Sequence, residues 1–174
     1  LNNIKFDIFN CNLMIHFVLK NDTTWNNFCS NINNFMADDG YLLITTFDGD
    51  ILHENFKNKK GNIKELYNSD GSNKTFFEFK SNYDYNKTTD INRTGLSYDA
   101  YVRMLKDDDN FDTEYLVPKD FLVKSLKEKC NMSLIESNSF DKIYEQQRMF
   151  FENIAPKEEN SKSKAYFMKI SEFY

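Results

Sequence analysis

Apolar positions run almost unbroken through Lys5 to Cys11 (KFDIFNC), where Phe6, Ile8, Phe9 and Cys11 follow one another as in a strand covered on both faces. Leu13–Leu19 continues this strand into a loop. The period then changes. Trp25, Phe28, Ile32, Phe35 and Met36 recur at helical spacing behind Asp22, Thr23 and Thr24, any of which can cap a helix. Gly40 falls where a helix end often needs a residue with positive φ, and Tyr41–Thr46 (YLLITT) predicts a second buried strand. Strand, helix and strand with short links predict a right-handed parallel crossover, the unit of an open α/β sheet.

From Phe47 to about Asn110 the pattern loosens. Gly49, Gly61, Gly71 and Gly95 punctuate candidate strands at Ile63–Tyr67, Thr75–Lys80 and Tyr98–Leu105, which together suggest an inserted antiparallel lobe. Order returns at Pro118, which opens a helix through Phe121, Leu122, Val123, Leu126 and Cys130. A strand is expected at Met132–Glu136, a helix near Asp141–Asn153, a charged loop at Glu158–Lys164 and a last strand at Ala165–Ile170. No internal repeat and no second domain interrupt the 174 residues.

Composition narrows the class. With 17 Phe and 10 Tyr the chain can build a core despite its many Asn residues, so it is not a disordered segment. The charge, 22 Lys+Arg against 27 Asp+Glu, is −5, which argues against broad non-specific nucleic-acid binding but not against a local basic groove. Apolar runs fall well short of the ~18 residues of a membrane span, and no leader pattern opens the chain. Cys11, Cys29 and Cys130 form neither a disulfide framework nor a CxxC metal knuckle, as expected of an intracellular, reducing compartment. The five glycines are too dispersed for a GxGxxG turn. An α/β chain without that turn is either not a nucleotide binder or the C-terminal portion of a nucleotide-type domain; its entry in mid-pattern favours the second.

Three segments, FDIFNCNLMIHF, YLLITTFDGD and TEYLVPKDFL, occur in this order. Together they resemble the C-terminal half of an mRNA cap guanine-N7 methyltransferase, in the form carried by the multifunctional capping enzymes of large DNA viruses such as poxviruses. In that family the first segment has the shape FD, four residues, QFxIHY; the second reads ITTxDGD; the third is EYLV or a close variant followed by a helix. A final strand rich in aromatic residues is matched by AYFMKI. The resemblance implies a Rossmann-like class I fold dependent on S-adenosylmethionine, of which this chain supplies strands four to seven with an inserted lobe at 47–110 that binds the cap. The strands carrying the acidic, Gly-rich donor loop would lie outside it. It further implies a capped mRNA 5′ end as substrate, triphosphatase and guanylyltransferase domains or a stimulatory subunit as partners, no membrane association, and an intracellular site: cytoplasmic or virion if viral, nuclear if cellular.

Methyl transfer to guanine N7 needs no general base, because N7 already offers a lone pair; positioning carries the reaction. A guanine whose N7 faces the donor must be read at N1–H and the N2 amine, so its site needs a carboxylate acceptor and aromatic faces. By the resemblance Glu114 is that carboxylate and His16 donates to the guanine edge; a solvated loop carboxylate and a satisfied core histidine are the ordinary alternatives. Phe17 stands where the family has Tyr, and Phe47 follows the Thr pair; each either stacks on substrate or packs in the core. Tyr166 matches the family's last-strand Tyr. Asn12, Leu13 and Phe17 would approach the methyl donor, with Asn12 and Leu13 replacing Gln and Phe. No metal is implied, since His53 is distant in sequence from His16 and is expected on a surface loop. Asp48 and Asp50 are expected to shape a turn, and Lys57, Lys59 and Lys60 to touch phosphate or lie in solvent. Two other functions fit the same segments: a class I methyltransferase of another substrate, and a catalytically silent subunit that stimulates a partner.

Overall fold

A computed structural model describes residues 4–67, 73–105, 110–149, 169–170 and 173–174. Strand β1 (Phe6–Asn12) leads through a one-turn helix α1 (Ile15–Val18) into helix α2 (Asp22–Phe35) and strand β2 (Met36–Thr45). The two strands pair in parallel, with Cys11 opposite Ile44 and Asn12 opposite Thr45, so the expected crossover unit of a Rossmann-like α/β fold is present. The cap of α2 is Asn21 rather than Asp22, Thr23 or Thr24. Its side chain accepts from the Thr24 N–H at 3.0 Å while Thr24 Oγ1 accepts from the Asn21 N–H, a reciprocal box that satisfies two end donors.

Gly40 does not end the helix. It lies inside β2, where the pairing shifts from Phe6–Met36 to Ile8–Tyr41, and a Cβ there would come within 3.2 Å of the Asp7 carbonyl oxygen. Glycine is needed for the close approach of two backbones at this bulge, not for a left-handed cap.

One face of the parallel pair packs Cys11, Leu42 and Ile44 onto α2 and helix α4 (Lys119–Cys130), in a core with Ile15, Leu19, Trp25 and Leu126. A buried hydrogen bond from Trp25 Nε1 to Ser125 Oγ, 2.6 Å, ties the two helices. The opposite face carries Phe6, Ile8, Tyr41 and Leu43, all at least half exposed. The near-continuous apolar run of β1 is thus covered on one side only among the described residues.

The second layer is a four-stranded antiparallel sheet in the order β3 (Asn62–Tyr67), β4 (Lys74–Ser81), β5 (Ser97–Val102), β6 (Asp112–Tyr115). Its inner face, Ile63, Phe77, Phe79, Tyr98, Ala100 and Val102, packs on Leu52 and Phe56 of a helix the pattern did not predict, α3 (Gly49–Asn58). Consecutive residues Leu116 and Val117 enter the two different cores, so the short link from β6 to α4 clamps the layers together.

Three expected elements differ. Residues 131–139 form no strand; Leu134 and Ile135 are exposed there, behind a left-handed Asn131 that closes α4. The next helix, α5, is Phe140–Gln146, shorter than expected over the described residues. Of the strand expected at Ala165–Ile170, residues 165–168 lie outside the described residues, as does the 158–164 loop, and 169–170 are helical.

Candidate functional site

The site forms where the carboxyl end of β1 meets β6, the place outside parallel strand ends where open α/β sheets bind ligands. Leu13 takes a left-handed conformation, φ 48°, while its N–H extends the ladder to the Thr45 carbonyl at 2.8 Å. This costs a non-glycine residue about 1–2 kcal/mol and turns the chain directly into α1. The single turn of α1 puts Ile15 and His16 inside and Phe17 outside, 49% exposed. The rings of His16 and Phe17 lie 4.2 Å apart.

Glu114 reaches the same point from β6. Its side chain is 12% exposed, and its Oε1 lies 3.8 Å from His16 Nε2. Tyr98, its Cα partner across β5–β6, donates its phenolic O–H to Glu114 Oε2 at 2.7 Å. Burial pushes the Tyr98 phenol well above its usual range and the neighbouring Glu114 carboxylate pushes it further; Tyr174 is driven up to about 12 by the same two causes. Both phenols therefore remain protonated, and Tyr98 is the one that donates to the carboxylate.

The Tyr174 ring stacks on Phe140 (4.8 Å) and meets Phe47 at a tilt (4.3 Å), making an aromatic cluster near Glu114. Phe47 is buried in this cluster and against Phe79, 5.0 Å away. Tyr166 lies outside the described residues. The structure thus brings His16, Phe17 and Glu114 together and adds Tyr98 and Tyr174, which the motifs did not single out. Tyr98 is detectable only through strand register, and Tyr174 only as one aromatic residue in a terminal cluster.

Burial lowers the His16 imidazole to about 4, with the Asp112 carboxylate working against it. Its Nδ1 is buried and has no hydrogen-bond partner among the described residues. A neutral ring in that setting keeps its proton on Nε2, directed at Glu114. Since the free side chain titrates near 6.5 and the folded one near 4, the unfolded chain takes up the proton first as pH falls. Stability from this group is intact above about 6.5 and is lost between there and 4, by on the order of 2–3 kcal/mol. His16→Asn should remove that part of the acid slope, which urea melts of both proteins at pH 7 and 4.5 would measure; equal slopes would show that His16 is not the group responsible.

Asn12, Leu13 and Phe17 sit together on this rim. Asn12 Oδ1 accepts from Thr45 Oγ1 at 3.0 Å, and the Thr46 hydroxyl that follows is buried without a hydrogen-bond partner among the described residues. None of the three is charged, so this rim offers an amide, an aliphatic side chain and an exposed ring but no ionic partner. No group of three or more His, Cys, Asp or Glu side chains among the described residues is placed to hold a metal ion. His53 is not on a surface loop but buried on α3, its Nδ1 2.6 Å from the Tyr83 hydroxyl. The reason is α3 itself, which turns His53 inward beside Leu52 and Phe56.

The DGD of the second segment is architectural. Asp48 caps α3 by accepting from the N–H groups of Asp50 and Ile51, and Asp50 Oδ2 accepts from the Lys119 N–H at 3.0 Å, capping α4. The two acidic residues thus lock helices rather than shape an open turn.

No family model matches the chain. Among solved structures, an S-adenosylmethionine-dependent methyltransferase from Clostridium acetobutylicum ATCC 824 aligns with 73% of this chain and 48% of its own, at 15% identity and a TM-score of 0.42. Among the described residues no helix is long and apolar enough to cross a membrane. Over 147 residues, 84% of its length, the chain is 40% identical to the probable mRNA-capping enzyme of Acanthamoeba polyphaga mimivirus, of which it spans 12%; by sequence it is a relative of one segment of a viral mRNA-capping enzyme.

Proposed function

We propose that this chain is the guanine-reading side of an mRNA cap guanine-N7 methyltransferase. The observation that carries the reading is the convergence of His16 Nε2 and Glu114 Oε1, 3.8 Å apart, from a parallel-strand tip and an antiparallel strand. That gap is too long for a hydrogen bond between them. It suits a donor and an acceptor that bracket neighbouring atoms of one base edge, with Glu114 taking N1–H and the N2 amine and His16 donating to O6. With that edge engaged, N7 points away from the carboxylate, and no base is required to activate it.

S-adenosylmethionine, when bound, supplies an electrophilic methyl on a sulfonium. On this reading Asn12, Leu13 and Phe17 hold its uncharged parts, Phe17 presenting a ring without the hydroxyl of the family's Tyr. By the resemblance Tyr166 would add a stacking ring, whereas Phe47, buried against Phe79 and beneath Tyr174, packs in the core of the lobe at 47–110 that β6 extends. Relatedness to one segment of a much longer capping enzyme supports further domains on the same chain, which we read as triphosphatase and guanylyltransferase, and an intracellular setting.

The test incubates a polypeptide containing this chain and its upstream residues with labelled S-adenosylmethionine and RNA ending in GpppA. Label should be recovered as 7-methylguanosine after nuclease digestion. Label at any other position would make it a methyltransferase of another substrate; cap binding with no transfer would make it a silent, stimulatory subunit.

A further inference from the structure

We propose that Tyr98 is a positioning residue for base selection: through its hydroxyl it fixes the Glu114 carboxylate in the orientation that distinguishes guanine from purines lacking the N2 amine. The inference rests on the guanine-binding reading of Glu114 and adds a residue to it.

Three observations carry it. Tyr98 lies directly opposite Glu114 in the β5–β6 register, so both side chains rise from the same face of the sheet at the shortest cross-strand spacing. Its ring is 1% exposed and is held by Phe56 and Phe79, each with its centroid 6.1 Å away, so the hydroxyl ends a side chain that cannot swing. The O–H donates to Oε2, while Oε1 is the oxygen on the His16 side.

A glutamate has three side-chain torsions, and fixing one oxygen on a rigid post removes most of the freedom of the other. A phenol that stays protonated donates to the carboxylate and holds its Oε2 in place. An ionised, oriented carboxylate accepts two parallel donors, which guanine presents at N1 and N2. Inosine presents only N1–H. The preference of guanine over inosine therefore measures the orientation of Glu114 rather than its mere presence.

The experiment is calorimetric titration of GpppA and IpppA into the polypeptide used above, for the parent, Tyr98→Phe, Glu114→Gln and the double variant. Tyr98→Phe keeps the buried ring and removes only the oxygen. It should weaken GpppA roughly five- to tenfold, the upper part of the range for a typical intramolecular hydrogen bond, and weaken IpppA less, so that the guanine-to-inosine ratio falls. If Tyr98 acts through Glu114, the double variant should bind like Glu114→Gln alone, a non-additivity that general loosening of the fold would not give. An unchanged ratio in Tyr98→Phe, or full additivity in the double variant, would overturn the role of Tyr98 and leave that of Glu114 standing. A parent that does not prefer GpppA, and a Glu114→Gln variant that binds as the parent does, would overturn the underlying reading together with this one.

Discussion

Glu114→Gln is expected to weaken binding of a GpppA cap analogue by ~1–3 kcal/mol, about five- to 150-fold, with little loss of folding stability. The amide keeps the shape of the side chain and still offers an oxygen to the Tyr98 hydroxyl, which donates to Glu114 at 2.7 Å. What it loses is the second acceptor. An amide NH2 opposed to a guanine donor leaves two hydrogens facing each other, and a buried donor left unpaired costs its full desolvation. His16 Nε2, 3.8 Å from the carboxylate, then faces a neutral group and gains nothing from the exchange. Glu114→Ala is the poorer test, because it also strands the buried Tyr98 hydroxyl and so mixes recognition with stability. Titration of GpppA and ApppA into parent and variant gives the answer: the guanine cap should fall towards the adenine one. Parental affinity for GpppA in Glu114→Gln would remove Glu114 from the site and the cap-guanine reading with it.

The parallel crossover was legible because its signals are local: a near-continuous apolar strand, a helix with apolar residues at Trp25, Cys29 and Ile32 turned inward, then YLLIT. The same holds for β3, β4, β5 and α4. Helix α3 was not read, although Leu52 and Phe56 stand four apart, because the FDGD before it looks like a turn and the helix has only 10 residues. Met132–Glu136 was over-read: Leu134 and Ile135 are neighbours, so a strand would always turn one of them away from its core, and here both remain exposed. The pair His16 and Glu114 came from motif resemblance and not from periodicity. Tyr98 could come from neither, because its meeting with Glu114 depends on a cross-strand register that no single strand encodes. The site was therefore legible where one segment suffices and illegible where two distant segments must be aligned.

A glycine remote from the chemistry holds the β6–α4 link against α3, and this gives the largest expected effect on the fold. Gly49→Ala should destabilise the protein by roughly 3–4 kcal/mol, a large part of the ~5–15 kcal/mol that holds a domain folded. A Cβ at Gly49 would lie 2.6 Å from the Val117 carbonyl carbon, 2.7 Å from the Val117 nitrogen and 2.8 Å from the Pro118 nitrogen, all backbone atoms that no rotamer change can move aside. Relief requires α3 and the β6–α4 link to separate. Separation breaks the Gly49 N–H bond to the Val117 carbonyl, 3.1 Å, and the Asp50 cap on Lys119, 3.0 Å. The better helix propensity of Ala returns only about 1 kcal/mol, so the clash wins. Gly95→Ala is the matched control: its φ is 85° but the nearest atom to an added Cβ is the Lys20 carbonyl oxygen at 3.5 Å, so only the ~1–2 kcal/mol of a left-handed residue is at stake. Because Val117 follows Glu114 by three residues, the shift that relieves Gly49→Ala also draws the carboxylate away from His16. Denaturant melts should therefore rank parent, Gly95→Ala and Gly49→Ala in falling order of stability, with cap affinity reduced in Gly49→Ala alone; equal stability of the two variants would mean that the α3 junction does not hold β6 in place.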